Sequence, residues 1–257
     1  MNCKICNTAS VAIFKATVLN KYDVQYFSCP NCEYLFTEKP YWLDEAYNSV
    51  INVVDTGIMA RNILYSRIVS ALLFFFFDSK GKFLDYAGGY GIFTRLMRDV
   101  GFNFYWNDPF CENLLARGFE YKKEEGSTFD LLTAFEVFEH LSDPVSEIKG
   151  IFNISASIIF STELLPTPIP KPTEWWYYGF DHGQHVSFYT KKTLSVIARQ
   201  FGIHFYSIKS LHIFTPKKLN LFAVWLVVML LKLDLFLAIK KNMKSKTWDD
   251  HFQLKNN

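Results

Sequence analysis

The stretch FLDYAGGYG, residues 83–91, ends an apolar run at an aspartate and then places three glycines within four positions. A short run of β-forming residues that stops at Asp85 and opens into Gly88, Gly89 and Gly91 describes a strand followed by a tight backbone turn. A structural turn, a nucleotide-binding loop and a loop for another adenosine-bearing cofactor all begin this way. Spacing separates them. A dinucleotide loop needs glycines at i, i+2 and i+5, but from Gly89 the chain offers Gly91 and then Thr94. No Gly-Lys-Ser/Thr follows, so the triphosphate loop fails as well.

From residue 82 onward the pattern alternates. KFLDYA reads as a strand and GIFTRLMRDVG as a helix; FNFYWND is a strand, CENLLARG a helix, DLLTAFE a strand, PVSEIKGIFNI a helix and ASIIFSTE a further strand. Strands alternating with helices in this way predict an α/β fold with a parallel sheet covered on both faces. Ligands in such sheets sit at the carboxyl ends of the strands. The second strand ends in Asp108-Pro109, 23 residues after Asp85. A carboxylate at about that distance is placed to accept hydrogen bonds from a ribose diol, although Asp-Pro also opens ordinary turns.

The third element, FDLLTAFEVFEHLSDP at residues 129–144, carries Glu136, the pair Glu139-His140 and Asp143-Pro144. With the glycine loop and Asp108, it resembles the ubiquinone-biosynthesis-like branch of the class I S-adenosylmethionine-dependent methyltransferases. The likeness covers about residues 82–210. It implies a Rossmann-like seven-stranded methyltransferase sheet, mostly parallel, whose last strand is antiparallel, with SIKSLHIF closing it. It also implies a cofactor-binding set of Asp85, Tyr86, Ala87, Gly88, Gly89, Gly91, Asp108, Pro109, Phe135 and Glu136. Ala87 departs from the family, which places its first glycine there. A methyl is tolerated at that position if φ is negative and strained if it is positive.

At the N-terminus, Cys3-x-x-Cys6 and Cys29-x-x-Cys32 form two knuckles separated by 22 residues. Tetrahedral zinc takes four thiolates, and a two-residue gap lets both sulfurs of a knuckle reach one ion. The intervening KATVLNKYDVQYFSC reads as strands around a turn, the build of a zinc ribbon. The expected metal ligands are Cys3, Cys6, Cys29 and Cys32, in a closed, structural Zn2+ site; Cys111 is read as a packed small residue.

After the strand ASIIFSTE the pattern changes to LLPTPIPKPTEWWYYGFDHGQHVSFYT. Its prolines exclude a helix, and Trp175, Trp176, Tyr177 and Tyr178 offer broad faces with polar tips suited to a sugar ring, or to loop packing. HVSFYTKKTL is similar to a segment of the same methyltransferase branch. Zinc-ribbon sugar C-methyltransferases carry an acid before the comparable histidine, where this chain has Gln184. The catalytic assignment is therefore His185 as general base, with His182, Glu139 and His140 in reserve.

Half of the residues are hydrophobic, a fifth are charged and the net charge is +2, which gives no reason to expect nucleic acid. The N-terminal residues contain no apolar signal-like core, so a cytoplasmic, reducing setting is the expectation. The four phenylalanines Phe74–Phe77 are read as core packing at a helix end. The run 219–239 is apolar but broken by Lys232 and Asp234, which predicts a C-terminal apolar helix packed on the domain or on a second subunit rather than a span. Contact with a membrane surface is the alternative, and Trp248 is the expected anchor of the polar tail. The predicted organisation is a zinc ribbon at 1–40, a methyltransferase domain at 41–215 and an apolar helix with its tail at 216–257. The expected function is methyl transfer from S-adenosylmethionine to a sugar-like small molecule. The rivals are a methyltransferase of a quinone or lipid precursor and a catalytically degenerate zinc-ribbon interaction protein.

Overall fold

The computed structural model describes residues 1–48, 55–122 and 128–256. The chain begins with β1 (Val11–Val18) and β2 (Tyr22–Ser28), an antiparallel hairpin. Its two central residues, Leu19 and Asn20, both have positive φ, at 54° and 53°. Two such residues make the turn whose twist matches that of the flanking strands. Next come β3 (Leu35–Thr37), the short helix α1 (Leu43–Ala46) and the long helix α2 (Ile58–Phe76). The α/β alternation then runs β4 (Lys82–Tyr86), α3 (Ile92–Val100), β5 (Asn103–Asn107), β6 (Leu131–Phe135), α4 (Pro144–Phe152) and β7 (Ile158–Ser161). The chain continues through β8 (Ser187–Phe188), α5 (Lys191–Gln200), β9 (His204–Ile208) and β10 (Leu211–Thr215). Thr190 starts α5 with a reciprocal capping box to Thr193. Three helices close the chain: α6 (Leu221–Leu230), α7 (Leu235–Asn242) and α8 (Thr247–Lys255).

The strands form two sheets. One has the order β1-β2-β3-β8 and the other the order β5-β4-β6-β7-β10-β9. In the second, β4 pairs in parallel with β5 and β6, while β9 and β10 form an antiparallel pair; SIKSLHIF, expected as one closing strand, is divided between them by a turn at Lys209 and Ser210. The α/β fold with its mixed central sheet is as the sequence predicts, with six strands where seven are expected. The segment that would supply the seventh makes a single parallel bridge, Trp106 to Glu120. The helix expected at CENLLARG is also missing. There the Asp108 carboxylate accepts from the amides of Phe110 and Cys111, and the Asn113 side chain from that of Ala116. Such local side-chain bonds offer the backbone an alternative to the helical ladder.

The chain divides into two compact units. One comprises residues 1–52, 135–153 and 160–216; the other comprises 53–134, 154–159 and 217–257. In the first unit the ribbon hairpin continues through β3 into β8, with Leu35 facing Phe188 and Phe36 facing Ser187. Its core gathers Val24, Tyr26, Trp42, Tyr178, Val186 and Phe188.

In the second unit β4 is buried between its neighbours, and α2 packs against α3, α6 and α7. Phe74–Phe77 are not core: Phe75 is exposed and the other three are half-buried. The apolar C-terminal run is two short helices and not one. Asp234 takes a left-handed conformation (φ 60°) and the axes bend by 94°. Aspartate tolerates that conformation better than an apolar residue does, so the interruption falls there. Only α2, at 19 residues, is long and apolar enough to cross a membrane by length and composition, among the described residues. The tail is anchored by Asp250, not by the exposed Trp248. Buried Asp250 accepts from Arg98 Nη2 at 2.5 Å and Nε at 2.8 Å, and from Arg95 Nη1 at 2.9 Å.

Candidate functional site

In the second unit the parallel register sets Asp85 beside Trp106 on one side and Thr133 on the other. The Asp85 carboxylate is buried and accepts from the hydroxyls of Thr94 and Thr133, both at 2.9 Å. Burial pushes its pKa up to about 7, against the lowering effect of these two bonds, and Asp108 adds repulsion. The glycine turn is held by three backbone contacts. Gly88 N donates to Asn107 O, Gly91 N donates to Gly88 O and Trp106 Nε1 donates to Gly89 O.

Two glycines of the loop are required by geometry. A Cβ on Gly88 would lie 2.7 Å from Asp85 Oδ2 and 2.8 Å from the Trp106 ring. Gly91 has φ 82° and a Cβ there would meet Asn113 Oδ1 at 2.7 Å. Ala87 has φ 53°, the strained alternative of the two that the sequence leaves open. Tyr86, Ala87, Gly88 and Gly89 stay half-buried, so the backbone of the turn is reachable.

Asp108 closes the loop from the end of β5. One carboxylate oxygen accepts from Gly89 N at 3.0 Å, and the other from Phe110 N and Cys111 N. Each oxygen has two acceptor sites, so the first keeps capacity for a diol while it fixes the glycine turn. Pro109 is exposed beside it.

The first unit holds the remaining candidates. Phe135 ends β6, and Glu136 just after it is a non-glycine residue at φ 53°. Its backbone N and its carboxylate both engage Ser161, at 2.9 and 2.5 Å. Glu139 is fully buried, and neither of its carboxylate oxygens has a hydrogen-bond partner. Burial raises its pKa well above the usual range and Glu136 adds to the effect, opposed in part by the nearby Tyr177 and Thr162.

His140 and His185 flank this carboxylate, with ring centroids 5.0 Å apart. His140 Nδ1 lies 3.0 Å from the Tyr47 hydroxyl, and His185 Nδ1 lies 2.6 Å from the Tyr177 carbonyl. A carbonyl only accepts, so His185 carries its proton on Nδ1 and presents a lone pair on Nε2. Desolvation lowers the pKa of both, that of His140 to about 4. His182 meets His185 edge to face, ring centroids 4.7 Å apart, and accepts from Gln184 N. Gln184 turns its side chain to the Ala46 carbonyl at 2.9 Å. Of the four consecutive aromatics, Tyr177 and Tyr178 are core, Trp175 is half-buried and Trp176 is 79% exposed.

The four ribbon cysteines converge, their sulfurs all within 4.8 Å of one another. Cys3 and Cys32 are 3.5 Å apart and Cys6 and Cys29 3.4 Å, far beyond a disulfide bond of about 2.05 Å. A tetrahedral ion with Zn–S near 2.3 Å would hold them about 3.8 Å apart, so this donor set fits a soft divalent ion. The two knuckles share one geometry. Asn7 and Glu33 have φ 59° and 63°, and their amides return to Cys3 O and Cys29 O, each at 2.9 Å.

Sequence reasoning marked Asp85, the glycines and the histidines, but not Thr94, Thr133, Tyr47 or Ser161. Each of these is an ordinary polar residue whose role arises from a partner 9 to 93 positions away.

The methyltransferase domain family matches residues 59–207, more than half of the chain. No functionally curated protein matches the sequence. Among solved structures, magnesium protoporphyrin IX methyltransferase from Synechocystis PCC 6803, with bound S-adenosylmethionine, is 12% identical. That match covers 68% of this chain and 90% of the other, at TM-score 0.41. A methyltransferase from Thermotoga maritima, described as a possible histamine N-methyltransferase, is 14% identical over 66% of this chain and 97% of its own (TM-score 0.46). An O-methyltransferase family 2 protein from Planctomyces limnophilus DSM 3776, in complex with apigenin, is 12% identical over 67% and 66% (TM-score 0.45). With the family match spanning the strand–glycine–helix unit and more than half of the sequence, the chain belongs to the methyltransferase domain family.

Proposed function

We propose that the enzyme methylates a small, sugar-like acceptor. The reading is carried by Trp176, an indole face 79% exposed and adjacent in sequence to Tyr177, whose carbonyl orients His185. Exposed aromatic faces stack on sugar rings, and this one packs edge-on against Tyr177, whose ring centroid lies 4.6 Å from that of His185.

Bound S-adenosylmethionine supplies a methyl group on a good leaving group, so the protein's share is chiefly alignment, worth about 7–11 kcal/mol in well-oriented systems. Asp85, Tyr86, Ala87, Gly88, Gly89 and Gly91 form the backbone cradle for the cofactor. Asp108 and Pro109 take the ribose side. Glu139, His140, His182 and His185 act on the acceptor: they orient it and relieve it of its proton. Cys3, Cys6, Cys29 and Cys32 hold a structural Zn2+ that fixes the ribbon, in keeping with thiols kept reduced in a cytoplasmic setting.

The C-terminal segment fits a peripheral contact with an anionic membrane surface. Leu221, Phe222, Trp225 and Leu237 are exposed there, and residues 217–257 carry eight lysines against three aspartates. Co-sedimentation with phosphatidylserine vesicles, lost at high salt, supports this contact; a concentration-dependent dimer without vesicle binding assigns the face to a second subunit instead.

The deciding experiment incubates the full chain with labelled cofactor and a panel of nucleotide sugars, lipid-linked sugars and quinone precursors. Label in the sugars supports the reading, and label confined to quinone or lipid precursors replaces it. Calorimetry without any S-adenosylmethionine binding would mark a degenerate domain. His185→Ala is expected to lower turnover while cofactor affinity holds, and unchanged turnover removes His185 from the site.

A further inference from the structure

Glu139 poses a physical problem that the fold does not solve. Its carboxylate is fully buried with both oxygens unbonded, and burying an unpaired charge costs several kcal/mol. Protonation would remove the charge and give one oxygen a proton to donate, but the other oxygen would still lack a partner. The hydroxyls of Tyr177 and Thr162 are nearby but make no hydrogen bond to either oxygen, and no cationic side chain pairs with the carboxylate among the described residues. His185 spends its Nδ1 proton on the Tyr177 carbonyl and turns a lone pair the other way. Glu136 repels both Glu139 and Glu163, and no lysine or arginine pairs with any of the three among the described residues. Such a pocket calls for a cation.

The ligand atoms for one are already gathered. One carboxylate oxygen of Glu139 and one ring nitrogen from each of His140 and His185 lie within 4.8 Å of one another. Bonds of about 2.1 Å to a shared ion place ligand atoms about 3–4.2 Å apart, so a pair at the outer limit closes by about 0.6–1.8 Å through small side-chain rotations. The outer contacts also match a metal site. Liganding histidines are usually steered by a carbonyl or hydroxyl on the other ring nitrogen. Tyr177 O does this for His185, and the Tyr47 hydroxyl contacts His140 Nδ1.

We infer that Glu139, His140 and His185 bind a divalent cation, separate from the four-cysteine cluster, with open positions for oxygen atoms of the acceptor. A carboxylate and two imidazoles suit borderline ions such as Mn2+, Fe2+ or Zn2+. The ion's role rests on the methyl-transfer reading: it raises the acidity of a bound acceptor hydroxyl, whose proton leaves to water. That assigns the polarising work to the ion, and the two histidines serve it as ligands.

The test uses the full chain with its cysteine cluster loaded with zinc, and Mn2+ as the probe, because thiolates prefer softer ions. Electron paramagnetic resonance should count one bound Mn2+ per chain, with nitrogen couplings from histidine. Glu139→Gln should weaken Mn2+ binding at least 100-fold and His185→Ala at least 10-fold. Without metal, Glu139→Gln should melt at a higher temperature than the wild type, because the buried charge is gone, and only the wild type should gain stability from Mn2+. Absence of Mn2+ binding by the wild type, binding without nitrogen couplings, or unchanged affinity in Glu139→Gln would each overturn the assignment. Cofactor calorimetry on the same sample keeps the two readings apart. Mn2+ bound without S-adenosylmethionine binding refutes the methyl-transfer reading alone, and the converse refutes the ion site alone.

Discussion

Asp85→Asn tests the electrostatics of the cofactor loop directly. The carboxyl is buried at the end of β4, and its pKa stands at about 7 instead of the usual 3.8, chiefly through burial. For an acid whose folded pKa is raised, the folded state holds the proton longer than the unfolded chain does. Stability is therefore greatest at low pH and falls as pH rises from about 4 to about 7. Three pKa units correspond to about 4 kcal/mol in full, and about 2.5 kcal/mol of this falls between pH 5 and pH 8. Asparagine keeps the size, accepts from one threonine and donates to the other, whose hydroxyl can rotate. Urea unfolding of both proteins at pH 5, 6, 7 and 8 isolates the effect, because all other titrating groups cancel in the difference. The variant should gain on the wild type by about 2.5 kcal/mol across that range. A difference that stays flat with pH would refute the account, since it would mean that Asp85 is already ionised at pH 5 and compensated there.

Asp250→Ala should destabilise the protein by about 3–5 kcal/mol, read from urea midpoints, because it strands the buried Arg98 guanidinium. Burial alone would raise the Asp250 pKa, but the bonds to Arg98 and Arg95 outweigh it and hold it below 3.8, so this contribution is present above about pH 4 and lost below. Ala87→Gly should stabilise by about 0.5–1 kcal/mol by relieving the left-handed strain, and a loss of stability would show that the methyl packs usefully. Gly91→Ala should cost about 2–3 kcal/mol and weaken S-adenosylmethionine binding by calorimetry, given φ 82° and a contact of 2.7 Å with Asn113. Stripping metal from the cysteine cluster should speed amide exchange in β1, β2 and β3, while the amides of β4 and α3 keep their protection.

The sequence by itself determined the elements whose information is local. FLDYAGGYG had to be a strand and a glycine turn, because no other reading accommodates an apolar run followed by three glycines at that spacing. The knuckles of Cys3 and Cys29 announce themselves because thiolates with two residues between them are able to share an ion. The α/β alternation is legible for the same reason: periodicity records burial. Whatever depends on partners far along the chain had to wait for the tertiary structure. CENLLARG carries helical residues, yet the Asp108 and Asn113 side chains take its amides. The apolar run 219–239 gives no sign of a 94° bend at Asp234. Asp250 looks like one more surface acid until Arg98 is found beside it. The environment of Glu139 was likewise invisible, because a Glu-His pair reads the same on a surface or in a desolvated pocket. Only packing brings His185 to its side, 46 positions on, and leaves both oxygens of its carboxylate without a hydrogen bond. Periodicity reports which faces are buried; which charges are left without partners is decided by long-range contacts.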